Sequence, residues 1–299
     1  MNLPKPFLRT LRNVHADVDA WVVGLPETLA GLEALWHIRV TGLVPQLLYN
    51  LVAHAERADG TPCILKLSPP SDDLRREGQA LSLYAGDGIC RLLERDEGAN
   101  ALLLERLTPG VSLQELWTLE HDDAHTRVAA QLMQRLWRRV PEPHPFRPLR
   151  SWARELWDYE GTKIPAPQRV RARALLLELG PNTDPILLHA DLHHGNILTT
   201  AVTTGSEPYL AIDPKGIVGA RGYDVGTYLL NPVQATAKEL TALAPQRLET
   251  FSRALGLSQR DLAALGFVHA VLSACWDADN HGDWDGRALE VARGLEPLV

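Results

Sequence analysis

The sequence predicts an α+β protein of two lobes. Three observations predict it. Strand-like runs concentrate between residues 47 and 107, Thr108-Pro109-Gly110 breaks the pattern, and the rest carries mainly helical periodicity. A chain of 299 residues with 45% hydrophobic content can bury a core in each lobe. The boundary falls at Thr108, dividing 1–107 from 108–299.

The first third reads mainly as strands with turns. Leu47 to Ala53 is apolar-rich, Ala58-Asp59-Gly60-Thr61 has turn chemistry, and Cys63 to Leu67 is the return strand of a hairpin. Asp72 to Ala85 reads as a helix capped by Ser71 or Asp72, with Leu74, Leu81 and Tyr84 near helical spacing. Ile89 to Arg95 and Ala101 to Leu107 are strands around the turn at Asp96 to Asn100. Beyond the break, Val128, Leu132, Leu136 and Val140 recur at four-residue steps and predict a helix over Ala124 to Val140. Arg135, Arg138 and Arg139 read as its solvated face. Pro141 to Pro148 holds four prolines and reads as a loop. Trp152 to Tyr159, Gln168 to Leu179, Arg247 to Leu255 and Asp261 to Trp276 read as helices.

Composition narrows the function. A net charge of −7 argues against nucleic-acid binding and suits a cationic small molecule better. Three cysteines without a CxxC pattern point to reduced thiols and a cytoplasmic protein. Met1 to Asn13 lacks the long apolar core of a signal peptide. No uninterrupted apolar run approaches the roughly 20 residues that span a bilayer, so no membrane role is expected.

The chemistry concentrates after two short apolar runs. Leu187-Leu188 precedes His189-Ala190-Asp191-Leu192-His193-His194-Gly195-Asn196, and Ile197-Leu198 follows. Asp191 stands five residues before Asn196, the spacing at which an aspartate accepts a substrate hydroxyl's proton and an asparagine reaches a metal on a nucleotide's phosphates. Asp213 ends Leu210-Ala211-Ile212 and supplies a second hard oxygen ligand suited to Mg2+. Lys66 ends the apolar run Cys63-Ile64-Leu65, like a strand lysine that grips phosphate oxygens. Glu77, eleven residues later on the next helix, is the acid that would aim it. Each signal alone has an ordinary structural explanation; the order Lys66, Glu77, Asp191, Asn196, Asp213 does not. A glycine-rich phosphate loop is weak: Gly42-Leu43-Val44-Pro45-Gln46 contains no GxGxxG.

This series resembles the aminoglycoside phosphotransferase group of the kinase-like superfamily, and within it the streptomycin 6-kinase (aminoglycoside/hydroxyurea resistance kinase) branch. Leu102 to Leu107 with Pro109-Gly110, His189 to Asn196, Ile212 to Gly216 with Val218-Gly219, Phe251 to Leu255 and Leu272 to Trp276 carry the resemblance. It implies a bilobal protein-kinase-like fold, with a small β-rich N-lobe for the nucleotide and a larger helical C-lobe for the catalytic loop and acceptor. It also implies that ATP or GTP, with Mg2+, lies between the lobes, its base meeting backbone near Glu105 and Leu107. His189 would brace the loop, and Asp224 would hold its backbone. The family usually has glycine where this chain has Ala190.

Aminoglycosides are polycations. Asp277, Asp279, Asp283 and Asp285 offer them an acidic wall, against the plainer reading of a solvated acidic loop after a helix; Trp276 and Trp284 read as packing residues. The expected function is O-phosphorylation of a streptomycin-like aminoglycoside. Alternatives are a kinase for another small metabolite, an inactive nucleotide-binding module, and a metal-dependent hydrolase with His189, Asp191, His193 and His194 as a zinc cluster, His189 and His193 standing at helical i, i+4 spacing.

Overall fold

The computed structural model describes residues 3–45, 47–180, 186–201, 208–280 and 285–299, with 279 and 280 described by backbone alone. The chain divides into two compact units: Met1–Gly86 with Cys90–Leu107, and Asp87–Ile89 with Thr108–Val299.

Unit 1 opens with two helices, α1 (Lys5–Val14) and α2 (Val18–Trp36). The sequence reading, mainly strands here, misses both. Gly24, Pro26, Gly31 and three valines weaken the helical propensity of α2. Its stripe Val18, Leu25, Leu29 and Leu32 is buried, and that tertiary burial overrides local preference. β1 (Ile38–Leu43), β2 (Leu51–Arg57), β3 (Pro62–Leu67), β4 (Leu92–Asp96) and β5 (Ala101–Glu105) form an antiparallel sheet of order β1-β2-β3-β5-β4. Between β3 and β4 runs α3 (Asp72–Tyr84).

Strand alternation sorts the two faces of this sheet. Leu51, Ala53, Ala55, Cys63, Leu65, Leu67, Ala101 and Leu103 join Phe7, Leu11, Val18, Leu25, Leu29 and Leu32 in one core. Lys66 therefore points from β3 to the opposite face. Its register partner Leu102 lies under Gly78 of α3, where a β-carbon would meet Leu102 Cδ2 at 2.8 Å. The missing side chain lets the helix bearing Glu77 come down onto the sheet.

In unit 2, β6 (Pro109–Ser112) and the one-turn helix α4 (Leu113–Leu116) lead to α5 (Asp122–Leu136). The predicted continuation to Val140 stops at Trp137, and β7 (Arg138–Arg139) follows. β8 (Arg147–Pro148) ends the proline-rich stretch. The helix expected over Trp152 to Tyr159 is instead two single turns, α6 (Leu149–Trp152) and α7 (Glu155–Asp158). Next come α8 (Ala166–Leu179), β9 (Ile186–Leu188), β10 (Ile197–Thr200), β11 (Tyr209–Ala211) and β12 (Ile217–Gly219). The chain ends in α9 (Tyr223–Leu229), α10 (Ala237–Leu255), α11 (Gln259–Asn280) and α12 (Arg287–Leu295). α10 starts ten residues ahead of the predicted Arg247, behind a Thr236–Glu239 capping box.

The strands form two small sheets, β11-β10-β6 and β7-β9-β12-β8. By length and composition the Gln259–Ala278 segment of α11 is apolar enough to cross a membrane, but 72% of that window is buried among its neighbours, as in a core helix. The interior also holds an ion pair between Arg247 and Asp122, both oxygens engaged at 2.5 and 2.9 Å. Cys63, Cys90 and Cys275 are buried and form no disulfide with one another.

Candidate active site

In unit 2 two loops are fastened side by side by the strands that flank them. β9 pairs with β12 through Leu188 and Ile217, and β10 pairs with β11 through Ile197 and Ala211. Two further backbone bonds close the gap: Lys215 donates to the His189 carbonyl at 2.8 Å, and Ile212 to the Asn196 carbonyl at 3.0 Å. Residues 189–196 and 212–216 thus form one unit. Asn196 and Asp213, far apart in sequence, stand at the ends of adjacent strands.

His189 is fully buried, and both ring nitrogens are used. Its Nδ1 accepts from the Asp191 amide at 3.2 Å, and its Nε2 lies 2.8 Å from the Ile212 carbonyl, the donor side of a neutral ring. Burial lowers its pKa to about 4. Asp224, in the first turn of α9, accepts from the amides of His189 at 3.3 Å and Ala190 at 2.6 Å, and from Trp137 Nε1 at 2.8 Å. Burial raises its pKa to about 6, with these donors opposing.

Asp191 sits at the open end of the loop, its side chain 28% exposed. Lys215 Nζ lies 3.0 Å from Oδ2, and His193 Nε2 lies 3.8 Å from Oδ1. Burial pushes the carboxyl up, but the fields of Lys215 and His193 outweigh it and hold its pKa below the ordinary aspartate value. Such a group stays ionised and can accept a proton. Asn196 Nδ2 donates to the Asp191 carbonyl at 2.9 Å, which turns the amide oxygen the other way.

The chemistry of Asn196 and Asp213 suits Mg2+: an amide oxygen and a carboxylate, both hard ligands, at the ends of adjacent strands, with water and phosphate to fill other positions. Among the described residues no group of three or more His, Cys, Asp or Glu is placed to hold a metal ion. The histidines of the zinc alternative do not converge on a shared ion. His189 is bonded at both nitrogens, His193 Nδ1 accepts from the Gly195 amide, and His194 stacks on Tyr228 at 4.1 Å. Nor do these residues form the helix that alternative needs, because the segment is a loop with a single 3-10 turn at His194–Asn196.

In unit 1, Lys66 Nζ lies 2.8 Å from each oxygen of Glu77, and both side chains are buried. Glu105 binds Arg91 through its carboxylate at 3.1 Å, and its own amide donates to the Arg91 carbonyl at 2.9 Å. That amide is therefore occupied, and Leu107, two residues on, is buried. Asp277 and Asp285 both attract the guanidinium of Arg287, so part of their charge is already answered. The Asp279 side chain, Asp283, Trp284 and Gln46 lie outside the described residues.

Lys215 is the residue that sequence reasoning passes over. The only local signal is a cation inside the short turn Pro214-Lys215-Gly216, and its neighbour Asp191 is supplied by strand pairing.

The fold that carries these paired loops is of the kinase-like class. Solved structures share the architecture. Amicoumacin kinase hAmiN, in complex with AMP-PNP, Ca2+ and Ami, aligns with a TM-score of 0.64 at 17% identity, over 95% of this chain and 96% of that one. Choline kinase LicA from Streptococcus pneumoniae aligns with a TM-score of 0.60 at 14% identity, over 92% and 98%. The fold is the protein-kinase-like α+β fold. The sequence model of the aminoglycoside/hydroxyurea antibiotic resistance kinases matches residues 35–281, and the chain belongs to that family. It is a phosphotransferase with an alcohol group as acceptor. Similar proteins include streptomycin 6-kinase of Streptomyces glaucescens, 28% identical over 99% of this chain and 97% of that protein. Streptomycin 6-kinase of Streptomyces griseus is 30% identical over 87% and 85%. Hydroxyurea phosphotransferase of Kitasatospora aureofaciens is 33% identical over 87% and 75%.

Proposed function

We propose that this protein transfers the terminal phosphoryl group of ATP or GTP to a hydroxyl of a streptomycin-like aminoglycoside in the cytoplasm. The observation that carries the reading is Asp191, ionised and partly exposed on a loop whose backbone is held by Asp224 and His189. In the proposed reaction the acceptor oxygen bonds to the terminal phosphorus as the bond to the nucleoside diphosphate breaks. The hydroxyl proton passes to Asp191. Lys66, aimed by Glu77, serves the nucleotide phosphates from the 1–107 lobe, and backbone at Glu105 and Leu107 serves the base. Asn196 and Asp213 would hold Mg2+, which supplies charge neutralisation on the phosphate oxygens. The 108–299 lobe takes the acceptor, with Asp277 and Asp279 as candidate contacts for its cationic groups.

Two relatives named for streptomycin support that acceptor. A second reading, phosphorylation of hydroxyurea or another small hydroxyl compound, is favoured by the 33% identical hydroxyurea phosphotransferase. Mass spectrometry of streptomycin, and separately hydroxyurea, incubated with protein, ATP and Mg2+ tests both. A gain of one phosphate on streptomycin, absent with Asp191→Ala, is the expected result; a gain on hydroxyurea alone moves the assignment to the second reading.

A further inference from the structure

We propose that His54 is a nucleotide-binding residue, its buried ring nitrogen poised for the nucleoside of the phosphoryl donor. The inference rests on the reading of Lys66 as the lysine of the phosphates and of residues 105–107 as the place of the base. Its starting point is an unanswered polar atom. Among the described residues, His54 Nδ1 is buried and has no hydrogen-bond partner. A polar atom buried without a partner destabilises the fold, and a ligand that completes it removes that cost on binding.

Strand register says where the ligand must lie. His54 of β2 pairs with Ile64 of β3, Ile64 pairs with Leu104 of β5, and Val52 pairs with Lys66. These side chains share the face of the sheet opposite to the core. On the core face Ala53, Ala55, Cys63 and Leu65 are buried; on this face Val52, His54 and Ile64 are only half-buried. The face is therefore an open apolar ledge that carries one imidazole, with Lys66 at one end. Segment 105–107 begins at the other end, because Glu105 pairs with Cys63, next to Ile64. Ile64 and Lys66 lie two residues apart, about 7 Å along the strand. A nucleotide with its base towards 105–107 and its phosphates at Lys66 lays its nucleoside across Ile64 and beside His54.

The ring is prepared for an uncharged partner. Burial, and then the charge of Arg106, lower its pKa, so it is neutral and offers one donor and one acceptor nitrogen. Gly42, its register partner on β1, has no side chain to cover it, and a β-carbon there would meet nothing within 4 Å. Thr41 Oγ1 donates to the His54 carbonyl at 3.2 Å, a tie on the backbone and not on the ring. Ribose hydroxyls and the polar edge of a purine both match this chemistry.

The test is calorimetric binding of MgADP and MgGDP to wild type, His54→Leu and His54→Gln. Magnesium tripolyphosphate, which has phosphates and no nucleoside, is measured by its displacement of the better-bound diphosphate. His54→Leu should weaken that diphosphate about three- to tenfold, the scale of one neutral hydrogen bond, and leave tripolyphosphate within about twofold of wild type. His54→Gln should recover part of the loss. The ligand-free Tm of His54→Leu should equal or exceed that of wild type, since an apolar group replaces an unpaired nitrogen. The 2′-deoxy and 3′-deoxy diphosphates locate the partner: a ribose contact makes variant and wild type alike for one of them, whereas a base contact leaves the difference in both. Unchanged diphosphate affinity in His54→Leu overturns the proposal. A lower ligand-free Tm with an equal loss for tripolyphosphate marks a structural histidine and overturns it too. Should His54→Leu not fold, His54→Phe keeps a planar ring without nitrogen and gives the same comparison. Wild type that binds none of these ligands overturns the nucleotide reading as well, so the two failures are told apart without a variant.

Discussion

Two lysine–carboxylate pairs in this chain have nearly the same length and opposite settings. Lys66 and Glu77 meet at 2.8 Å with side chains 2% and 8% exposed; Lys215 and Asp191 meet at 3.0 Å with about a third of each side chain open to solvent. The difference teaches that separation does not decide what an ion pair does. In the sealed pair neither partner has water to replace the other, so each is fixed in direction and costly to orphan. In the open pair solvent or substrate can replace either partner, so the pair can be exchanged during a reaction at little cost to the fold.

The comparison is broken most severely at Asp191. Asp191→Ala should lower kcat/KM about 10²–10⁴-fold through loss of the base, with the denaturant midpoint nearly unchanged. A wild-type rate in a phosphate-transfer assay would remove Asp191 from that role. The sealed pair should respond in the other coordinate. Lys66→Ala removes the lysine held at 2.8 Å by both oxygens of buried Glu77, and urea unfolding should show a loss of about 3–5 kcal/mol. Lys66→Met combined with Glu77→Leu should recover much of that stability while transfer stays low, which would separate the pair's role in folding from its role in catalysis.

A buried histidine near the open pair gives a pH test. His269 Nδ1 lies 3.0 Å from the Tyr223 hydroxyl, and burial lowers its pKa from 6.5 to about 4, against the attraction of Asp191. The unfolded chain therefore binds this proton first. The contribution is complete above pH 6.5 and is lost as pH falls towards 4, by a few kcal/mol at most. His269→Gln should flatten the fall of Tm over that window; equal slopes for variant and wild type would show that His269 does not set it. The smallest effect is expected at Lys215. Lys215→Ala should change unfolding free energy by no more than about 1 kcal/mol, as for other exposed pairs, and a loss near that of Lys66→Ala would erase the contrast.

What the sequence revealed follows the range of the interactions. The Asp191–Asn196 spacing is legible because one short loop carries both residues. Lys66 and Glu77 are legible because a strand end and the next helix lie eleven residues apart. Lys215 gains its meaning only when β9 and β12 pair, and the Arg247–Asp122 ion pair joins residues 125 positions apart, which no local pattern encodes. Asp224 was reached through family resemblance alone, because its three donors come from residues 137, 189 and 190. The N-terminal helices stayed hidden behind Pro26 and two glycines, although the stripe from Val18 to Leu32 was present.

Ala190 has a consequence for the engineering of this chain. Its φ of +62° lies in the left-handed region, where a β-carbon costs roughly 1 kcal/mol relative to glycine. Its amide is gripped by Asp224, so the loop keeps its shape despite the misfit. Glycine at this point would relieve that cost and keep the amide that Asp224 holds. For directed evolution, Ala190→Gly is a small reserve of stability inside the 189–196 loop, open to be drawn on when other substitutions cost the fold.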